Sequence, residues 1–195
     1  MSALSIPRAD EFLRTLRESL GETRVRHCIS VAELLWSIAV QANIEPEPAA
    51  TAGLLHDLCK GMRNEELLAA AYQYGIEVSD LHRARPGLLH GHVGAEYCKR
   101  HLGIEDDGVY EAIAWHVTGR PHYGRLGLAL FFADFAEPLR AHPESAEARK
   151  RFDTDGLLRA VAYVADAKLK HLEDKRAPID PATRAFRAWV NDQLE

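Results

Sequence analysis

His56 and Asp57 are adjacent and close the apolar run Ala52 to Leu55, where polar side chains are costly unless something pairs with them. A helix sets Lys60 three to four residues on, over the same face, so that an imidazole, a carboxylate and an ammonium converge. The same residues also fit a capped helix end with a surface lysine. His27 shares a helix face with Val31, Leu34 and Ile38 and therefore points inward, where a hydrogen-bonded core histidine is the alternative to a ligand. His116 stands at the end of its helix beside Trp115. Asp134 lies in the most apolar stretch of the chain, Leu128 to Phe135, and a buried aspartate needs a cation or several donors. Four inward polar positions on separate apolar helices share one economical explanation, a cation-binding centre.

Cys28, Cys59 and Cys98 lie far apart with no C-x-x-C pair, which fits neither a disulfide framework nor a thiolate zinc site. Imidazole and carboxylate must then supply the ligands, a donor set that suits iron, manganese, cobalt or zinc. A formal charge of -5 argues against binding a nucleic-acid polymer and leaves small anionic ligands open. No apolar run reaches the ~18 to 20 residues of a membrane span, and Met1 to Arg8 lacks the order of a secretion signal, so a soluble cytoplasmic protein is expected.

The elements that must position these residues read as helices throughout, in one domain over residues 1 to 195. The fold class is all-α. Leu13, Leu16 and Leu20 precede a stop at Gly21, and Val31, Leu34, Leu35 and Ile38 mark a helix carrying His27. Pro46 and Pro48 read as a break, Ala49 to Leu58 as a short buried helix ending by Gly61, and Asn64 as the cap of the next. Ser79 to Gly91 reads as a connection. Helices follow over Val93 to Leu102, Asp107 to Thr118, Leu126 to Phe135, which Pro138 closes, and Leu158 to Leu172. Asp180 and Pro181 open a terminal helix.

The order His27, His56-Asp57, Asp134 resembles the signature of HD-domain phosphohydrolases. R-x-x-H at Arg24 to His27, G-L-L-H-D-x-x-K at Gly53 to Lys60 and L-L-H-G-x-V-G at Leu88 to Gly94 are similar to the YqeK-type symmetrical bis(5'-nucleosyl)-tetraphosphatases. So are A-I-x-x-H-x-T-G-R at Ala112 to Arg120, F-x-A-D-x-x-E-P-x-R at Phe131 to Arg140 and P-I-x-P-x-T at Pro178 to Thr183. The resemblance runs from about Arg24 to Trp189. It implies an HD-domain helical bundle that splits diadenosine tetraphosphate into two ADP at a di-iron centre. Metal ligands are then implied at His27, His56, Asp57, His90, His116 and Asp134, with Asp57 bridging two ions. The resemblance selects His90 over His82, His92 and His101, which spacing alone does not. Two departures miss these ligands: Cys28 replaces a common small hydroxyl residue, and Gly127-Leu128 replaces a frequent Glu-Lys pair.

A polyphosphate anhydride repels an attacking hydroxide, so catalysis must supply the nucleophile and positive charge around phosphorus, which two cations bridged by Asp57 would do. Lys60 is the first candidate for neutralising the transferred phosphate, and Arg120 and Arg140 can bind further oxygens. Thr118 and Gly119 could offer donors at a turn, and the resemblance adds Arg24 and the loop around Ile179 and Pro181 as nucleotide contacts. The leading expectation is symmetrical cleavage of a dinucleoside polyphosphate. The alternatives are a phosphohydrolase of mononucleotides or other phosphate esters, and a non-catalytic metal- or nucleotide-binding module. If the chain associates, an isologous homodimer is the expected form.

Overall fold

The computed structural model describes residues 6 to 194, and among them every regular element is helical. The order is α1 (Ala9–Ser19), α2 (Glu22–Ala42), α3 (Pro46–Leu55), α4 (Asn64–Tyr74), α5 (Asp80–Ala84), a 3-10 turn (Pro86–Leu89), α6 (His90–Leu102), α7 (Asp107–Trp115), α8 (Arg125–Ala136), α9 (Pro143–Asp155), α10 (Leu157–Asp174) and α11 (Pro181–Asp192). The all-α expectation holds. No helix among the described residues is long and apolar enough to cross a membrane.

Four local readings change. Pro46 and Pro48 do not break the chain but open α3, where their missing N–H groups belong to a first turn that has no internal acceptors anyway. Asn64 is the first residue of α4, and the cap is Arg63, whose backbone N–H donates to Glu66 Oε2 at 2.8 Å. The segment from Ser79 to Gly91 is ordered into α5 and the 3-10 turn, with the Ser79 hydroxyl accepting from the His82 backbone N–H at 3.2 Å. Helix α9 was not visible as periodicity, because only Ser145, Ala148 and Phe152 of its thirteen residues are buried.

Helix α8 lies at the centre, with Leu130, Phe131, Phe132 and Ala133 all buried, as its apolar run requires. Around it pack α2, α3, α7, α9 and α10. Phe132 stacks on Phe152 of α9 with ring centroids 5.1 Å apart, and Phe131 meets Phe186 of α11 edge to face at 4.9 Å. A smaller cluster of Cys59, Leu67, Ala71, Leu89 and Val93 joins α4 to the start of α6. The three cysteines are buried free thiols.

The contact that matters most for the site is between α2, which carries His27, and α3, which leads into the His56-Asp57 pair. It is close because Gly53 faces α2 without a side chain: a Cβ there would lie 2.9 Å from Ala32 Cα and 2.8 Å from Leu35 Cδ1. Gly53→Ala must therefore separate the two helices, at a cost of roughly 1–3 kcal/mol for overpacking. The expected result is a lower denaturant midpoint together with weaker metal retention; an unchanged midpoint would show that the helices are not held by this contact.

Candidate metal centre

Three histidines of the site stand at helix ends, where backbone carbonyls lack partners. His56 follows α3, His116 follows α7 and His90 follows the 3-10 turn. Each ring Nδ1–H donates back to the carbonyl three residues earlier: His56 to Gly53 at 2.8 Å, His90 to Gly87 at 2.6 Å and His116 to Ile113 at 2.7 Å. His27 is oriented differently, by Glu137 Oε1 at 3.0 Å from its Nδ1. For His56, His90 and His116 the acceptor is a carbonyl, which assigns the proton to Nδ1 and leaves Nε2 as a bare lone pair; Glu137 favours the same tautomer in His27, whose Nε2 also lies 3.1 Å from Asp134 Oδ1.

Those lone pairs converge. His27 Nε2 and His56 Nε2 are buried without a hydrogen-bond partner, and His90 Nε2 lies 3.0 Å from His116 Nε2, two acceptors face to face. Unpartnered buried acceptors are destabilising, and a cation between them removes the conflict. Asp57 presents Oδ1 to His90 and His116, at 3.0 and 3.6 Å, and Oδ2 to His56 and His27, at 3.6 and 3.9 Å. Two groups could thus hold a metal, His27-His56-Asp57 and Asp57-His90-His116, and they share Asp57. Asp134 joins the first group, its Oδ1 lying 3.1 Å from His27 Nε2 and 3.8 Å from His56 Nε2.

The charge states fit cation binding. Burial works to raise the Asp57 and Asp134 carboxyls, but the surrounding imidazoles, and Lys168 beside Asp134, outweigh it and hold both well below the usual carboxylate range. Burial pushes His56 down to about 4 and also lowers His116, keeping both rings neutral. Burial likewise acts to lower His27, yet the neighbouring carboxylates of Asp134 and Glu137 prevail and raise it.

The six residues expected to be ligands come together here from five separate segments. The centre opens into a cleft of about 1020 Å³ whose wall includes Arg24, Lys60, Thr118 and Arg140. Arg24 donates to Asp57 Oδ2 at 2.8 Å, and Arg140 reaches Asp134 Oδ1 at 3.2 Å. Gly119, Arg120, Ile179 and Pro181 are not on that wall. Gly119 backs onto the Phe186 ring, Arg120 lies over Trp115 and 3.4 Å from Glu111, and the following loop lines the cleft through Pro178 and Asp180.

Sequence reasoning missed Glu137, Arg85, His142, Tyr163 and Lys168. Glu137 is buried and accepts from Ser30 Oγ at 2.7 Å and the Leu139 backbone N–H at 2.6 Å besides contacting His27. Its position one helical turn after Asp134, just before Pro138, was the available signal. The others come from segments whose approach to the site is tertiary. The Gly127 departure has a packing reason: the Tyr123 ring occupies the space a Cβ would need, and its hydroxyl donates to Ala112 O at 2.7 Å.

The HD domain model matches residues 24 to 167. The fold and the paired imidazole-carboxylate groups accordingly place the chain among the HD-domain hydrolases. The symmetrical bis(5'-nucleosyl)-tetraphosphatase of Halalkalibacterium halodurans is 31% identical over 89% of this chain and 91% of its own length. That of Bacillus subtilis is 29% identical over 93% and 96%. Within the HD class the chain belongs to the family of these proteins. A crystal structure from Clostridium acetobutylicum, described as a predicted HD superfamily hydrolase involved in NAD metabolism, is 31% identical. It superimposes with a TM-score of 0.91 over 96% of this chain and 99% of its own.

Two outcomes follow. Glu137→Ala frees the His27 ring and should lower metal affinity about 10–100-fold, read by competition with a chelator, while helical content is retained. In the metal-free protein, unfolded histidines take up protons near pH 6.5, whereas folded His56 resists until about 4. Between those values the unfolded chain binds more protons, His116 adds in the same direction and His27 opposes, so stability should fall as pH falls from about 6.5 to 4. Denaturant midpoints across that range test this, and a midpoint rising toward acid contradicts it.

Proposed function

We propose that this chain hydrolyses dinucleoside tetraphosphates, diadenosine tetraphosphate first among them, symmetrically into two nucleoside diphosphates at a two-metal centre. The observation that carries the reading is Asp57, whose two oxygens face separate histidine pairs beneath a cleft whose wall includes Arg24, Lys60 and Arg140. His27, His56, Asp57 and Asp134 would hold one ion, and Asp57, His90 and His116 the other. Iron is the metal we assign, on family resemblance, and the donor set also accepts manganese, cobalt or zinc. When bound, such a pair of cations lowers the pKa of water and offsets phosphoryl charge.

The remaining work belongs to the chain. The Nδ1 bonds fix four imidazoles so that neither ring rotation nor proton transfer can remove a lone pair from the centre. Arg24 and Arg140 hold the two carboxylates from the cleft side and offer their remaining N–H donors to phosphoryl oxygens. Lys60, exposed at the rim of the cleft one turn after Asp57, adds a mobile charge for the outer phosphates. We assign Thr118 to the same wall, and give Arg120, Gly119, Ile179 and Pro181 the role of shaping the turn and loop that flank it.

Product analysis decides the reading. Metal-loaded protein given diadenosine tetraphosphate should yield ADP as sole nucleotide product, with activity lost on chelation. Asp57→Asn should lower turnover by at least about a thousandfold, since it removes the shared ligand, while its circular dichroism stays helical. AMP with ATP as products would contradict central cleavage, and phosphate release from mononucleotides alone would favour a different phosphohydrolase.

A further inference from the structure

Lys168 lies on α10, one residue beyond the segment matched by the HD domain model, and faces the cleft. Its ammonium sits 3.8 Å from Asp134 Oδ2 and 4.0 Å above the centroid of the Phe131 ring. The side chain is 22% exposed, and among the described residues its three N–H donors make no hydrogen bond. Arg24 and Arg140 also line the cleft but are already hydrogen-bonded to the carboxylates of the centre. A largely buried ammonium on a fixed stem, with donors open to the cleft, is prepared for an anion. Once cations engage Asp134, that carboxylate no longer balances the lysine, and an incoming oxyanion restores the balance.

We propose that Lys168 is a substrate-binding residue that donates to a phosphoryl oxygen of the polyphosphate and stabilises the charge on the departing diphosphate. The proposal rests on the polyphosphate reading above. In the hydrolysis a water oxygen forms the new bond to an inner phosphorus, and the bridging P–O bond breaks with its electron pair on the departing oxygen. The water protons pass to solvent. The leaving diphosphate thus gains a full negative charge during the step, and a fixed ammonium beside it is favoured more in the transition state than in the bound substrate. Phe131 and the α8 packing keep the stem in place, so little side-chain entropy is lost on binding.

The test is Lys168→Met, which keeps the stem over Phe131 and removes the charge. ADP affinity of the metal-loaded protein, read by calorimetry, should fall at least about tenfold. With diadenosine tetraphosphate, kcat should fall as well as KM rise, while metal content and melting temperature are retained. Lys168→Arg should recover most of the ADP affinity, which a purely structural role would not require. Unchanged ADP affinity in Lys168→Met overturns the proposal, whatever products the wild type forms; absence of dinucleotide cleavage by the wild type with weakened ADP binding in the variant overturns the substrate reading instead. If Lys168→Met does not fold, Lys168→Gln is read in the same way. Metal loss with ADP affinity intact in the loaded variant also overturns it, assigning Lys168 to the support of Asp134.

Discussion

Buried lone pairs that point at one another are the constraint from which the rest of the structure follows. Four imidazole nitrogens and two carboxylates face inward within an apolar bundle, an arrangement that repels itself unless a cation stands among them. Replacing such groups by apolar residues would give a more stable bundle, so their presence is a statement about chemistry rather than about folding. The surrounding helices are arranged to make that unfavourable cluster rigid.

Helix ends do most of this positioning. An α-helix leaves its last carbonyls unpaired, and a histidine placed just after the last turn can satisfy one of them with Nδ1–H while its other nitrogen points away. His56, His90 and His116 use the same device on three different elements. Close approach completes it: Gly91 allows α6 to begin against the end of α7, since a Cβ there would lie 2.8 Å from Ala114 O and 3.2 Å from His116 Nδ1. Glu137 serves His27 from the end of α8, so the fourth ring is fixed by a carboxylate instead.

The charge of the molecule as a whole is not spread evenly. The chain carries -5 overall, yet Arg24, Lys60, Arg85, Arg140, Lys168 and Lys170 gather around the cleft, matched in number by the carboxylates of Asp57, Asp134, Glu144, Asp166, Asp174 and Asp180. That distribution gives no extended basic face for a long anion. It also separates roles along the sequence: the residues of the proposed metal centre end at Asp134, whereas α10 contributes to the wall only because it packs back across α8.

The all-α class, the helix that carries His27, the buried segment around Asp134 and the inward set His27, His56, Asp57, His116 and Asp134 were legible from periodicity and from the cost of burying polar groups. Family resemblance was needed to choose His90, because its segment reads as a connection and its 3-10 turn has no apolar period. Helix α9 was illegible since it buries only three side chains, and the prolines before α3 misled because a proline break and a proline start look alike in sequence. Which nitrogen of each ring faces the centre, how Asp57 divides its oxygens, and that Glu137 and Lys168 attend the site were decided by tertiary structure alone. Sequence periodicity records which face of a helix is buried, whereas those facts depend on distances between faces of different helices, which no spacing along the chain encodes.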